Sequence, residues 1–213
     1  MATRTMQALL VAAAMTGALQ AQSWEVGALG GVGIYRKNTV TSPAGDGKTG
    51  FKQGFAVGAV AGQNLHEYIG GEIRYLYQQG DLFVESGSQE ARFSGRTHAI
   101  HYDFLIHFAP RDAAARPFVA VGGGVKVYEG TGREVPDQPL ARLSLLTRTR
   151  ETRALGSVGG GVKFKVSPRT LVRLEFRDYI TPFPKQVVAP SIGAKISGIV
   201  HDFVFLGGLT FVF

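Results

Sequence analysis

From Trp24 to Phe213 apolar and polar side chains alternate every second residue, with Gly, Pro, Asn and Asp breaking the alternation at intervals. No stretch carries an apolar stripe of helical period, so the pattern predicts an all-β chain. Strands are expected over 24–36, 50–63, 67–79, 92–108, 117–129, 154–166, 170–182 and 199–213.

The connections alternate in length. Long ones are expected over 37–49, 80–91, 130–153 and 183–198, and short ones at 64–66, 110–116 and 167–169. Eight strands joined this way describe an eight-stranded antiparallel transmembrane up-and-down β-barrel, with short turns on one side of a membrane and long loops on the other.

Within the strands the two faces differ sharply. Phe203, Phe205, Gly207, Leu209, Phe211 and Phe213 share one face, opposite Asp202, Val204, Leu206, Gly208, Thr210 and Val212. Val172, Leu174, Phe176 and Ile180 oppose Arg173, Glu175, Arg177 and Tyr179. Ile69, Ile73, Tyr75 and Tyr77 oppose Glu72 and Arg74, and Ile100, Tyr102, Phe104, Ile106 and Phe108 oppose Thr97, His101, Asp103 and His107. Alternation alone leaves the orientation open, because a soluble ligand-carrying barrel has the same period with its apolar face inside.

Three features favour lipid outside. Tyr102, Phe108, Phe164, Phe211 and Phe213 fall near strand ends, where aromatic girdles belong. The polar face carries both signs of charge, adding Lys126 and Lys163 to the residues above, which suits a narrow lumen where opposite charges pair. The last strand also runs to Phe213 with no tail, as closure against the first strand requires.

The N-terminus reads as a secretory leader over 1–21, with Arg4, an apolar run from Met6 to Leu19, and cleavage after Ala21. That run is too short to span a bilayer as a helix. The barrel domain is then 22–213, and removal of Arg4 leaves 22 Lys and Arg against 16 Asp and Glu, a net charge of +6. An exported basic protein meets no nucleic acid, so lipid phosphates are the natural partners of this charge. There is no cysteine, hence no disulfide framework and no lipid-modified anchor.

The terminal run Phe203-Val204-Phe205-Leu206-Gly207-Gly208-Leu209-Thr210-Phe211-Val212-Phe213, with Gly70-Gly71-Glu72-Ile73-Arg74-Tyr75 and Val172-Arg173-Leu174-Glu175-Phe176-Arg177-Asp178-Tyr179, resembles the small OmpA/OmpX-like outer-membrane β-barrel proteins of Gram-negative bacteria. The resemblance spans nearly the whole mature chain and implies an outer-membrane location, a monomer and a structural or surface-interaction role. It also implies that Phe213, with Phe211, Leu209 and Phe205 on the same face, forms the signal read by the barrel-assembly machinery.

The chemistry on offer is sparse. Glu72, Arg74, Asp103, Arg173, Glu175 and Arg177 are expected to form a charge network that fills the interior, because eight strands enclose a space that side chains can fill. Gly122-Gly123-Gly124-Val125-Lys126 and Gly159-Gly160-Gly161-Val162-Lys163 lack the following helix of a phosphate-binding loop and read as strand glycines. His98 and His201 share an outward parity with Ser94 near the rim, yet Arg96-Thr97-His98-Ala99-Ile100 lacks the His-x-Ser spacing of outer-membrane lipid A deacylases. His101, His107 and Asp103 are weak as metal ligands by spacing alone. No catalytic site, cofactor or metal is expected. Arg142, Arg148, Arg150 and Arg153, with Arg133, make the connection at 130–153 basic, which suits either contact with lipopolysaccharide phosphates through bidentate guanidinium forks or a solvated loop. A lipid A-modifying enzyme, a narrow pore and a soluble periplasmic ligand-carrying barrel stand as alternatives.

Overall fold

The structure is a computed structural model that describes residues 23–213; the leader expected over 1–21 lies outside the described residues. The strands are β1 (Ser23–Tyr35), β2 (Asn38–Ser42), β3 (Gly45–Phe51), β4 (Gly54–Asn64), β5 (Ile69–Gln79), β6 (Leu82–Ser86), β7 (Gln89–Phe93), β8 (Gly95–His107), β9 (Ala115–Gly130), β10 (Ser144–Leu146), β11 (Arg150–Ser167), β12 (Thr170–Pro182), β13 (Val188–Pro190), β14 (Lys195–Ile196) and β15 (Ile199–Val212).

Eight of these close into an antiparallel barrel in the order β1-β15-β12-β11-β9-β8-β5-β4, with β4 returning to β1. Closure is completed by β15 against β1, where Glu25 stands opposite Val212 and Tyr35 opposite Asp202. Short turns join the strands at one end. The N–H of His66 bonds to the carbonyl of Ile69 in the turn before β5, and that of Ala113 to Pro110 in the turn before β9.

Side-chain direction decides which face is out. Ile73, Ile100, Phe104, Val121, Leu174, Phe205 and Phe211 all point away from the barrel and form an apolar belt. Glu72, Arg74, Asp103, Lys126, Lys163, Arg173 and Arg177 point in and are buried. A ligand-carrying barrel with an apolar interior is thereby overturned.

The lumen is crowded because long side chains from β5 and β12 cross toward small residues on facing strands. Inward positions on β1 include Gly27, Gly31 and Gly33, and on β9 Gly122 and Gly124. At Gly159 a Cβ would lie 2.2 Å from the carbonyl oxygen of Phe176 and 2.7 Å from Cδ of Arg177, so a side chain there would displace that arginine.

The long connections are not loose. β14, β2, β3, β6 and β7 pair in that order as a five-stranded sheet, and β10 pairs with β13. They share a core of Val40, Phe51, Leu82, Val84, Phe93, Leu143, Leu146, Val187, Val188 and Ile196, which continues onto Tyr35, Tyr128 and Val200 at the barrel's upper end. The cap and barrel are therefore one packed unit. Leu140 sits in this core with a φ of 60°, a conformation that costs a side-chain-bearing residue about 1–2 kcal/mol and is offset by its burial.

The cap explains the differences from the expected boundaries. The strand expected to start at 50 starts at Gly54, because Gly45–Phe51 pairs with β2 and β6 instead. The strand expected to start at 92 starts at Gly95, because Gln89–Phe93 closes a hairpin on β6. At 150–153 the difference runs the other way, with β11 pairing against β9 from Arg150 onward.

Two outcomes test the cap as a folded unit. Leu82→Ala is expected to cost the cap about 2–5 kcal/mol, read as protease cleavage within 80–94 while the barrel keeps its heat-modifiable gel shift. Glu90, held 2.6 Å from Arg92 Nε and 2.7 Å from Lys52 Nζ, has its carboxyl lowered from 4.5 to about 2 by those two hydrogen bonds. A lowered value stabilises above the unfolded pKa and the benefit goes as pH falls through the folded one. Amide protection factors in the β6–β7 hairpin should hold at pH 5 and decline as pH falls from 4.5 toward 2.

Candidate functional site

Two constellations stand out, one inside the barrel and one on its upper rim. Inside, the strand period sets Glu72 and Arg74 on β5, Asp103 on β8, and Arg173, Glu175 and Arg177 on β12 into one layer. Arg74 Nη2 donates to Glu72 Oε1 at 2.6 Å and to Glu175 Oε2 at 2.8 Å. Arg173 Nη2 lies 2.9 Å from Glu72 Oε2, and its Nε makes an ion contact with Glu175 Oε1 at 2.7 Å. Arg177 reaches Asp103 Oδ2 at 2.8 Å, Glu72 Oε1 at 3.0 Å and Glu175 Oε2 at 3.0 Å. Three carboxylates thus face three guanidiniums, and the layer is neutral.

The layer extends along the barrel axis. His101 is hydrogen-bonded to Asp103 at 3.1 Å and to Tyr179 Oη at 3.2 Å. Toward the cap, Lys126 pairs with Asp202, whose other oxygen accepts from Gln78 Nε2 at 3.1 Å. Toward the short turns, Lys163 Nζ lies 2.5 Å from Glu25 Oε2, and Asn64 Nδ2 donates to Glu25 Oε1 at 2.7 Å. Arg116 closes that end through Asn64 Oδ1 at 2.7 Å and the carbonyls of Ala109 and Glu67. Every buried lysine therefore has its own carboxylate. Glu25 and Asp202 were not among the candidates chosen from sequence, although their parity relative to Gly27 and Val204 places them on the inward face.

The rim constellation lies on the outward face where β8, β9 and β11 rise above the belt. Arg96 and Arg150 both stand opposite Glu129 in the strand register. Arg96 grips Glu129 through two bonds, Nε to Oε2 at 2.9 Å and Nη2 to Oε1 at 3.2 Å. These residues, with Arg148 and Thr149, line a cavity of about 310 Å³. Three arginines against one glutamate make it electropositive. Just below, His98 Nδ1 is hydrogen-bonded to Tyr75 Oη at 2.8 Å, with Tyr77 beside it.

Of the four arginines singled out in the sequence, Arg148 and Arg150 meet in this cavity and Arg142 is exposed on the cap. Arg153 is not with them. It shares the inward parity of Leu155 and pairs with the buried Glu151, which also accepts from the N–H of Gln186 at 2.7 Å. Arg96 was missed, although its position two residues before His98 on the outward face marked it.

The remaining candidates separate. Phe205, Leu209 and Phe211 face outward, and Phe213 is exposed with its N–H bonded to the carbonyl of Trp24. His201 pairs with Asp178 at 2.8 Å, while Ser94 lies exposed between β7 and β8 and lends its carbonyl to the N–H groups of Thr131 and Gly132. His98, His201 and Ser94 thus have separate partners rather than forming a relay. Among the described residues no group of three His, Asp or Glu is placed to hold a metal ion.

A closed eight-stranded barrel with charges inside and an apolar belt outside is the architecture of a membrane-spanning β-barrel. The sequence matches the family model for the outer membrane protein beta-barrel domain over residues 7–189, and the chain belongs to that family. It is an outer-membrane protein.

Solved structures are similar in fold. Neisserial surface protein A matches with a TM-score of 0.53 at 12% identity, covering 91% of this chain and 97% of that one. The N-terminal β-barrel domain of Pseudomonas aeruginosa OprF matches with a TM-score of 0.49 at 15% identity, covering 90% and 97%. The outer membrane protease OmpT of Escherichia coli matches with a TM-score of 0.48 at 12% identity, covering 90% and 97%. Likeness at these identities concerns the fold alone. No curated protein matches the sequence.

The interior layer generates an expected outcome. Glu72→Ala leaves Arg74, Arg173 and Arg177 with one fewer carboxylate and should destabilise the barrel by about 3–5 kcal/mol. The double variant Glu72→Leu/Arg173→Leu restores neutrality and should cost less than Glu72→Ala. Urea titrations of folding into lipid vesicles measure both.

Proposed function

We propose that this barrel is sealed and non-catalytic, and that it serves the cell surface by presenting a rigid sheet cap held against lipopolysaccharide phosphates. The observation that carries the reading is the cap, whose long connections pack around a common apolar core joined to the upper barrel. Such connections serve a surface role better than a transport role, since ordering them costs conformational entropy that an open pore would not need to spend.

The sealed interior follows from the paired charges, which fill the lumen above and below the central layer. The phosphate contact is supported by the rim cavity, where Arg148 and Arg150 sit beside the Arg96–Glu129 pair. Guanidinium forks match phosphate oxygens, and the tyrosines and histidine just below support a cavity height near the lipid headgroups. Phe213, with Phe211, Leu209 and Phe205, serves on this reading as the assembly signal, and the segment 1–21 as the export leader. The protein is a monomer.

Wild-type protein in detergent should bind diphosphorylated lipid A, with affinity falling about tenfold in Arg148→Ala/Arg150→Ala, the loss of about 1.4 kcal/mol. Binding unchanged by the double variant would contradict the phosphate contact.

A further inference from the structure

The short-turn end of the lumen breaks the charge balance that holds elsewhere inside the barrel. Lys126 and Lys163 each have a carboxylate, and Arg74, Arg173 and Arg177 share those of Glu72, Glu175 and Asp103. Arg116 is placed as deeply, at 5% exposed, yet its guanidinium bonds only to neutral acceptors. These are Asn64 Oδ1 at 2.7 Å and the carbonyls of Glu67 at 2.5 Å and Ala109 at 3.2 Å. Beside it, Arg111 Nη2 donates to the carbonyl of Asn64 at 2.7 Å. Among the described residues neither arginine is in an ion pair, and the side chain of Lys165 has no partner. A buried cation without an opposite charge is costly unless something compensates it.

Arg111, Arg116 and Lys165 line one cavity of about 300 Å³ at the mouth of the lumen. Two carboxylates line it with them. Glu25 is already held by Lys163 and Asn64, which leaves the exposed Asp112 as the one free acid against three cations without counter-ions. The surplus is two positive charges. Donors are open to the cavity: Lys165 is exposed, and Arg111 is half-buried with Nη2 bonded and Nε enclosed, so that Nη1 is its free group. Leu171 and Val212 form an apolar wall. They share the inward parity of Arg173 and Thr210, so the cavity opens into the lumen mouth and not onto lipid.

We infer that this mouth binds one small water-soluble dianion, a phosphate monoester, between Arg111 Nη1 and Lys165 Nζ, with its carbon skeleton against Leu171 and Val212. The charges match, since a phosphate monoester brings two negative charges on one group and a monoanion would leave one cation uncompensated. A guanidinium beside an ammonium suits phosphate oxygens, the first as a fork and the second as a point charge. The volume is at the small end for ligand cavities, which limits the molecule to a few carbons beyond its phosphate. The short turns of an outer-membrane barrel face the periplasm, and the ligand enters from there. The site is independent of the lipopolysaccharide contact at Arg148 and Arg150, which lie at the opposite end of the barrel.

The test is isothermal titration calorimetry of the full-length mature barrel in non-ionic detergent at low ionic strength, with glycerophosphate as the dianion and dimethyl phosphate as the monoanion. Arg148→Ala/Arg150→Ala serves as the background, so that the rim cavity contributes nothing. The expected result is saturable one-to-one binding of glycerophosphate, with dimethyl phosphate bound at least about tenfold more weakly. Lys165→Ala and Arg111→Ala should each weaken glycerophosphate about tenfold, whereas Asp112→Asn, which removes the competing carboxylate, should strengthen it about threefold. A heat-modifiable gel shift checks that each variant is folded. Lys165 is exposed and unpartnered, so its variant keeps the test decisive even if Arg111→Ala, which also loses the bond to Asn64, fails to fold. Absence of saturable binding, equal affinity for the two phosphates, or affinity unchanged in Lys165→Ala would each overturn the proposal.

Discussion

Everything in this molecule depends on closing eight strands around a space that must be filled with charge and yet remain electrically balanced. The apolar belt is spent on lipid, so the other half of every strand has only polar and small residues to offer the interior. Charges confined there gain little from water and must find partners. Glu72, at the centre, is shared by Arg74, Arg173 and Arg177, while Glu25 and Asp202 each neutralise one lysine nearer the two mouths. Small inward residues are the other half of the arrangement, since the arginines of β12 can cross the lumen only where glycines such as Gly159 leave room.

The cap follows from the same geometry at the upper end. Barrel strands that continued upward would expose Tyr35, Tyr128 and Val200 to water above the last charged pair. The long connections instead fold over these residues and bury their own apolar side chains against them. The ordered cap and the charge-filled lumen below it are therefore parts of one packing arrangement, and the basic rim cavity is placed by the strands that rise into the cap.

Much of this was legible in the sequence. The alternation of Arg173, Glu175 and Arg177 against Leu174 and Phe176 set the range of β12 and separated its two faces, and the mixed signs of charge on one face, which suit a narrow lumen, turned that face inward. The long and short connections set the strand number. Pairing was not legible, since Glu72 and Arg173 are 101 residues apart and meet only across the closed barrel. The cap strands were hidden for a related reason: β3 and β7 lie beside the starts of barrel strands and share their alternation, so Phe51 and Phe93 read as barrel residues when they belong to the cap core. Arg153 read as a loop residue because the strand signal of β11 weakens across Thr152 and Arg150. Its partner Glu151 was the clue that the alternation continued.

On the proposed reading, the paired charges and the cap together leave no continuous path through the barrel. Single-channel recording of the purified full-length protein in planar bilayers addresses it most directly. A sealed barrel leaves the membrane electrically silent under applied voltage, with insertion verified by protection of the barrel from protease. Regular conductance steps from the wild-type protein would contradict it.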